Sequence, residues 1–266
     1  MSHMSRAALA IVLFLRCLSA SAEEALPNEL PPGQEAAAVQ SAERIGLAIY
    51  LHDRAAAVAT DAAFKLRAFK EDQRIRGWIT EEKQGQIVVS FIDQTPSALY
   101  RIAVSKDGTA GPVMSLELAT ALTDYELGAA SARAVASAAK FERCSDRYNS
   151  VVLPAADTLA NNWSVYLLPG TTKNNVVPIG GTYRIDVSGN KISAQRGFTR
   201  TCIALQTAPD AVGLFITHLL DAVPTEAHVF WSLWAKKPLH VATPPYGTIW
   251  AVEGNSIRLT ERKTKG

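Results

Sequence analysis

Four apolar segments confined between two cysteines constrain this chain more than any other feature. Residues 148–153, 163–168, 182–187 and 191–196 each have strand length, and Pro154, Pro169-Gly170, Gly180-Gly181 and Gly189-Asn190 separate them. Cys144 and Cys202 bracket the set. The block therefore reads as a β-rich core with a covalent clasp.

The N-terminus decides whether the clasp can close. Arg6, the apolar run 7–15 and Ala20-Ser21-Ala22 before Glu23 have the three parts of a secretory signal peptide, which predicts cleavage after residue 22. The apolar run is shorter than the roughly 20 residues a span requires, and Arg16 interrupts it. Arg16 also precedes Cys17, where a lipoprotein would carry a small residue. The expected location is periplasmic or secreted, with no membrane span after cleavage. In that oxidising setting Cys144 and Cys202 point to a disulfide, with two separate buried thiols as the alternative. Of 27 basic and 25 acidic side chains, the signal segment removes Arg6 and Arg16 and no acid, leaving 25 of each. A neutral mature chain without a basic run lacks the footprint of a nucleic-acid binder. The basic end at 261–266 reads as a solvated terminus.

Residues 23–34, with four prolines and glycines, predict an extended leader. From 35 to about 70 apolar residues recur at helical spacing through Ile45, Ala48, Ile49, Ala55, Ala59, Ala62 and Leu66, which predicts one long helix or two joined ones. Its alanine stripe would let another backbone approach closely, as against a sheet. Residues 74–79, 86–92 and 98–104 then read as an antiparallel meander, with a possible fourth strand at 112–116. Thr123 and Glu126 have capping-box spacing ahead of a helix expected to reach Phe141. After the cysteine block, 212–219, 227–233, 239–242, 248–252 and 256–259 read as short strands. The expected fold is α+β, with an α+β part at 35–141 and a β-rich part at 142–266.

Several local sequences are familiar together: Tyr50-x-His52-Asp53-x-Ala55-Ala56 with Ala59-Thr60-Asp61, Tyr148-Asn149 through Pro154, Gly180-Gly181-Thr182-Tyr183-Arg184, Phe198-Thr199-x-x-Cys202, Thr217-His218 through Asp221, and Pro224-Thr225-Glu226-x-His228-Val229-Phe230. In these motifs, which cover most of the mature chain, it resembles a family of exported bacterial proteins with no assigned activity. The resemblance implies a compartment and no reaction. Family members carry histidine where this chain has Thr182, which removes a histidine-based role from that position.

Three constellations could bear chemistry. His52, Asp53, Thr60 and Asp61 lie within about two and a half helical turns, with Asp53 and Thr60 on one face and His52 and Asp61 on opposite sides. Surface ion pairs of Asp53 with Arg54 and Asp61 with Lys65 are the structural alternative. The second set is His218, Asp221, Glu226, His228 and His240. If 227–233 is a strand, Glu226 and His228 share a side and join His218 across a hairpin, giving the two-histidine, one-carboxylate set of an open zinc site. No HExxH spacing supports it, and neither Thr217 nor Ser232 lies in a GxSxG elbow. Third, Gly180-Gly181 with Arg184 would suit a phosphate, but a hairpin turn explains the pair more simply. Alternation puts Tyr183 and Ile185 on one face and Arg184 with Asp186 on the other. Trp231 reads as sheet packing or as a binding platform for peptide or sugar. Beyond zinc, no cofactor is implied.

The expected function is that of a non-catalytic exported protein binding another protein or an envelope component. The competing expectation is an envelope hydrolase, in one form metal-dependent, using His218, Glu226 and His228.

Overall fold

The computed structural model describes residues 26–155, 161–208 and 210–263. The predicted signal segment lies outside them. The fold is α+β, built around one long helix, α1 (Pro32–Ala63). At 32 residues it is about 48 Å long and runs unbroken through Gly46. It starts at Pro32, inside the predicted leader, because proline at the first helical position lacks only an N–H that the helix would leave unused.

The small residues along α1 serve two different neighbours. At Gly46 a Cβ would stand 2.5 Å from Val229 Cβ and 2.7 Å from the Glu226 carbonyl, so glycine lets a second helix touch the backbone. Farther along, Ala55, Ala59 and Ala63 are buried against Val89, Leu99 and Ile102 of a sheet. The expected packing on a sheet therefore holds for the C-terminal half, whereas the N-terminal half packs on a helix.

That first sheet is the predicted meander, β1 (Gly77–Lys83), β2 (Gln86–Ile92), β3 (Ser97–Ser105) and β4 (Met114–Ala121), antiparallel in chain order. Gln84 and Gly85 both have positive φ and join β1 to β2 as a two-residue hairpin turn. A short helix, α2 (Arg67–Glu71), precedes it. Next comes α3 (Asp124–Ser137), opened by the predicted capping box: Glu126 N–H donates to Thr123 Oγ1 at 3.2 Å, and Thr123 N–H to Glu126 Oε2 at 2.9 Å. It ends at Ser137, short of Phe141.

The second sheet has the order β5-β6-β8-β9, from β5 (Tyr148–Pro154), β6 (Asn162–Pro169), β8 (Tyr183–Ser188) and β9 (Lys191–Gly197). It also contains the four strands expected between the cysteines. β7 (Val176–Val177) and β10 (Leu205–Gln206) form a small separate pair. One face of the second sheet, with Trp163, Val165, Ile185 and Val187, packs on α3 together with Ile79 and Ile92 of the first sheet. The apolar half of its other face, with Val151, Tyr166 and Leu168, joins a larger core containing α1 and the third sheet. Both cores thus draw on residues before and after 141.

Cys144 and Cys202 are joined as a disulfide with Cα atoms 5.3 Å apart. A loop of 58 residues closed in this way stabilises the fold by about 4 kcal/mol on the chain-entropy model. The glycine pair is explained here. A Cβ on Gly180 would fall 1.9 Å from Ile203 N, and Gly181, at φ 83°, would meet Cys144. The pair lets the chain pass against the disulfide and is neither a hairpin turn nor a phosphate loop.

The C-terminal part departs most from expectation. Residues 227–233 belong to a helix, α4 (Glu226–Ala235), not to a strand. It bridges β11 (Leu214–Thr217) and β12 (Leu239–Thr243), which pair in parallel, before antiparallel β13 (Thr248–Glu253) and β14 (Ser256–Glu261). A parallel pair needs such a crossover. No helix among the described residues is long and apolar enough to cross a membrane.

Candidate functional site

Where α4 replaces a strand, the predicted metal set comes apart. Two residues apart on a helix is about 200°, so Glu226 and His228 face opposite ways. Glu226 turns to the second sheet, where its Oε1 accepts from Tyr166 Oη at 3.3 Å and Arg184 Nη1 at 3.2 Å. His228 turns the other way and is fully enclosed. Its Nδ1 accepts from the Thr225 backbone N–H at 3.0 Å, the place glutamate takes in the usual capping box. Accepting there puts the ring proton on Nε2. No group of three histidine, cysteine or acidic side chains is arranged to hold a metal among the described residues.

His218 and Asp221 stay with His228 in a closed knot. Asp221 Oδ2 pairs with His218 Nε2 at 2.8 Å and accepts from Arg196 Nη2 at 2.6 Å, while its Oδ1 accepts from Arg196 Nη1 at 3.2 Å. The His218 and His228 rings meet edge to face, with centroids 4.6 Å apart. Burial would raise the Asp221 carboxyl, but bonds from His218 and Arg196 outweigh it and hold the group well below the usual carboxylate range. Burial, then the neighbouring His218, pushes His228 well below the ordinary imidazole value. The knot ties β9 to the end of β11 and the start of α4. It leaves no hydroxyl nucleophile beside an accessible base. Thr217 is exposed, Ser232 Oγ donates to the Lys237 and Val252 carbonyls, and His240 stands on the outer face of β12.

The open site lies elsewhere. A cavity of about 1010 Å³ separates α1 from the polar half of the second sheet's face. Ser41, Arg44, Ile45, Ala48 and His52 form the helical wall, at spacings that keep them on one side of α1. Ser164 and Tyr166 of β6 and Arg184 and Asp186 of β8 form the sheet wall, with Glu82, Tyr125 and Trp163 at one side. The alternation read from the sequence holds: Tyr183 and Ile185 face α3, and Arg184 and Asp186 face the cavity.

Most polar groups of this wall hold one another. Asp186 Oδ1 accepts from Ser164 Oγ at 2.7 Å, and its Oδ2 from Arg184 Nε at 3.2 Å. Burial disfavours the Arg184 charge, but Asp186, Tyr166 and Glu226 more than compensate, so its pKa is raised. Burial, with Glu226 next, also raises the Tyr166 phenol. His52 Nδ1 lies 2.8 Å from Thr80 Oγ1 in a buried pair. Burial lowers its pKa to about 4 against the pull of Glu82, so the ring is neutral at pH 7. Thr80 is not on the cavity wall, so this pair does not present a nucleophile to a ligand.

Two groups remain unmatched. Trp163 is 7% exposed, and its Nε1–H, which lies against Gly128 of α3, has no acceptor among the described residues. Arg44 is exposed to the cavity with no hydrogen bond or ion pair among the described residues.

Of the residues singled out by sequence, Arg184 and His52 line the cavity, and Glu226 supports Arg184 from behind. Asp53 points instead to β5, accepting from Asn149 Nδ2 at 3.1 Å, with its carboxyl raised by burial despite that bond. Asp61 is exposed at the end of α1, Thr60 bonds the Ala56 carbonyl, and Arg54 reaches the Asp107 carbonyl, so the expected Asp53 to Arg54 pair is absent. Trp231 is buried core, donating to Thr182 Oγ1 at 2.9 Å, and is not a platform. Sequence reading missed Arg44, Glu82, Trp163 and Tyr166. For Arg44 a signal existed, since 44, 48 and 52 recur one helical turn apart.

The fold and site define an α+β protein with a disulfide-clasped sheet and a polar cavity roofed by a long helix. The chain matches no protein-family model, no curated protein and no solved structure.

Proposed function

We propose that this chain is an exported binding protein that holds a small component of the cell envelope in the cavity between α1 and the second sheet, without transforming it. The observation that carries the reading is the cavity of about 1010 Å³ itself, with the Arg44 side chain exposed on its helical wall and without a partner among the described residues. The cavity is of the size that encloses small organic molecules. Export is supported by the signal-like N-terminus, the disulfide and the resemblance to exported bacterial proteins. A binding role without catalysis fits a wall whose acids are engaged with Arg184, Ser164 and Lys106 and whose histidine is bonded to Thr80. The hydrolase alternative gains nothing from the geometry, because α4 turns Glu226 away from His218 and His228.

The test is native mass spectrometry of the protein isolated from its producing cells. A small molecule should remain bound, and Ala48→Trp, which fills the cavity from α1, should remove it while the melting temperature stays near wild type. Retention of the same mass by Ala48→Trp, or no bound mass in the wild type, would contradict the reading.

A further inference from the structure

The C-terminal end of α4 borders a second, separate concavity. A cleft of about 410 Å³ lies between that end of the helix, the loop 171–175 and the β7 and β10 pair, and it shares no wall residue with the cavity beneath α1. Trp234 forms one side of it and is 41% exposed, whereas the chain's other four tryptophans are buried or half-buried. The platform that the enclosed Trp231 cannot provide therefore lies three residues farther along the helix.

The exposed ring is held in place from below. Trp231 meets Trp234 edge to face with centroids 5.3 Å apart, Phe230 meets Trp231 in the same way at 4.7 Å, and the Trp231 indole N–H donates to Thr182 Oγ1 at 2.9 Å. A ring anchored to the core in this way loses little freedom when a ligand settles on it. The opposite wall is set as well: the Thr207 N–H donates to the Asn175 carbonyl at 2.8 Å, and the Lys173 N–H to Thr171 Oγ1 at 3.0 Å. The side-chain amides of Asn174 and Asn175 have no partner among the described residues, so each brings two N–H donors and one acceptor oxygen to the cleft. Lys237 Nζ is taken by the Ala211 carbonyl at 2.5 Å, and among the described residues no carboxylate lines the cleft.

We infer that this cleft is a subsite for one ring of a saccharide, stacked on Trp234 with its hydroxyls bonded to Asn174 and Asn175. The C–H bonds on one face of a pyranose are weakly positive and suit the negative face of an indole. Its neighbouring hydroxyls each donate and accept, as a free amide does. A purely apolar guest would leave both amides unmatched, and an inorganic anion would leave the indole uncovered. With no carboxylate on the walls, an acidic sugar is not repelled. The inference does not depend on the binding role of the cavity beneath α1.

The probes are three tetrasaccharides, of N-acetylglucosamine, of glucose and of galacturonic acid, titrated calorimetrically into the purified chain with its disulfide intact. At least one should bind and should shield the tryptophan emission from acrylamide, because Trp234 is the exposed tryptophan. Which of the three binds tells an amide-bearing, a plain neutral or an acidic sugar. Trp234→Ala should lose about tenfold or more in affinity, and Asn174→Ala several-fold, each with a near-native melting temperature. Should Trp234→Ala fail to fold, Asn174→Ala on its exposed loop decides alone. Ala48→Trp, which fills the other cavity, should bind the saccharide as wild type does. Binding by none of the three, or binding that neither Trp234→Ala nor Asn174→Ala weakens, would overturn the inference. The reading of the cavity beneath α1 stands or falls on the co-isolated molecule, so the two failures are distinguishable.

Discussion

Two clusters in this protein are built from the same kinds of residue and do opposite things. Arg196, Asp221, His218 and His228 form a closed knot in which the arginine pairs with the carboxylate and the two histidine rings are buried against each other. Arg184, Asp186 and His52 stand at a cavity that also exposes an unmatched arginine. A list of histidines, acids and arginines does not separate the two. Bonds left unmade on an open wall do.

Acid should break the contrast most strongly. His52 is neutral when folded, with its pKa lowered to about 4, and so is His228, by burial. The unfolded chain binds protons on both below about pH 6.5, while the folded chain does not, so stability is complete above that pH and falls below it, for His52 between 6.5 and about 4. For His52 alone the loss reaches about 3 kcal/mol. Denaturant melts at pH 7 and 4.5 should show it, and His52→Gln should flatten the part of the slope belonging to the cavity wall, leaving that of the knot. Asp221, held low, adds its loss only below the ordinary carboxylate range.

Asp221→Asn should come next, at about 2 kcal/mol, because it leaves Arg196 and His218 without their acceptor in a partly buried place; full burial would raise the cost. Arg184→Met should cost about 1 kcal/mol, since Asp186 then faces the open cavity and keeps Ser164, and Glu226 keeps the bond from Tyr166. Smallest is Arg44→Met, within about 0.5 kcal/mol, because the side chain is exposed and touches no partner among the described residues. Chemical denaturation of the three variants at pH 7 checks the order.

The fold was largely open to reading from sequence, and the misses have causes. The capping box at Thr123 and Glu126 and the disulfide are local or compositional signals, and they appear as read. By contrast, α4 was hidden because it is buried on most sides: Val229, Phe230, Trp231 and Ser232 are all enclosed, so no polar stripe marks the helical period. Thr225 after Pro224 was the available start signal, masked by a histidine in the place usually held by glutamate. That one misreading placed Glu226 and His228 on the same side and created the metal set. The contact of Gly46 with Val229 spans 183 residues and could not be read locally. Half of the site was visible, through the alternation that set Arg184 beside Asp186. Trp163 was not, since an unmet N–H is a property of the packed structure and not of a motif.

The central claim is that the cavity binds and the knot only holds the fold. It is tested most directly by measuring retention of the co-isolated molecule and melting temperature together in Ala48→Trp and Asp221→Asn. The account predicts that Ala48→Trp loses the molecule at a near-unchanged melting temperature. Asp221→Asn should lose melting temperature and keep the molecule wherever it is folded. Loss of the molecule in folded Asp221→Asn with full retention in Ala48→Trp would place the site at the knot and contradict the account.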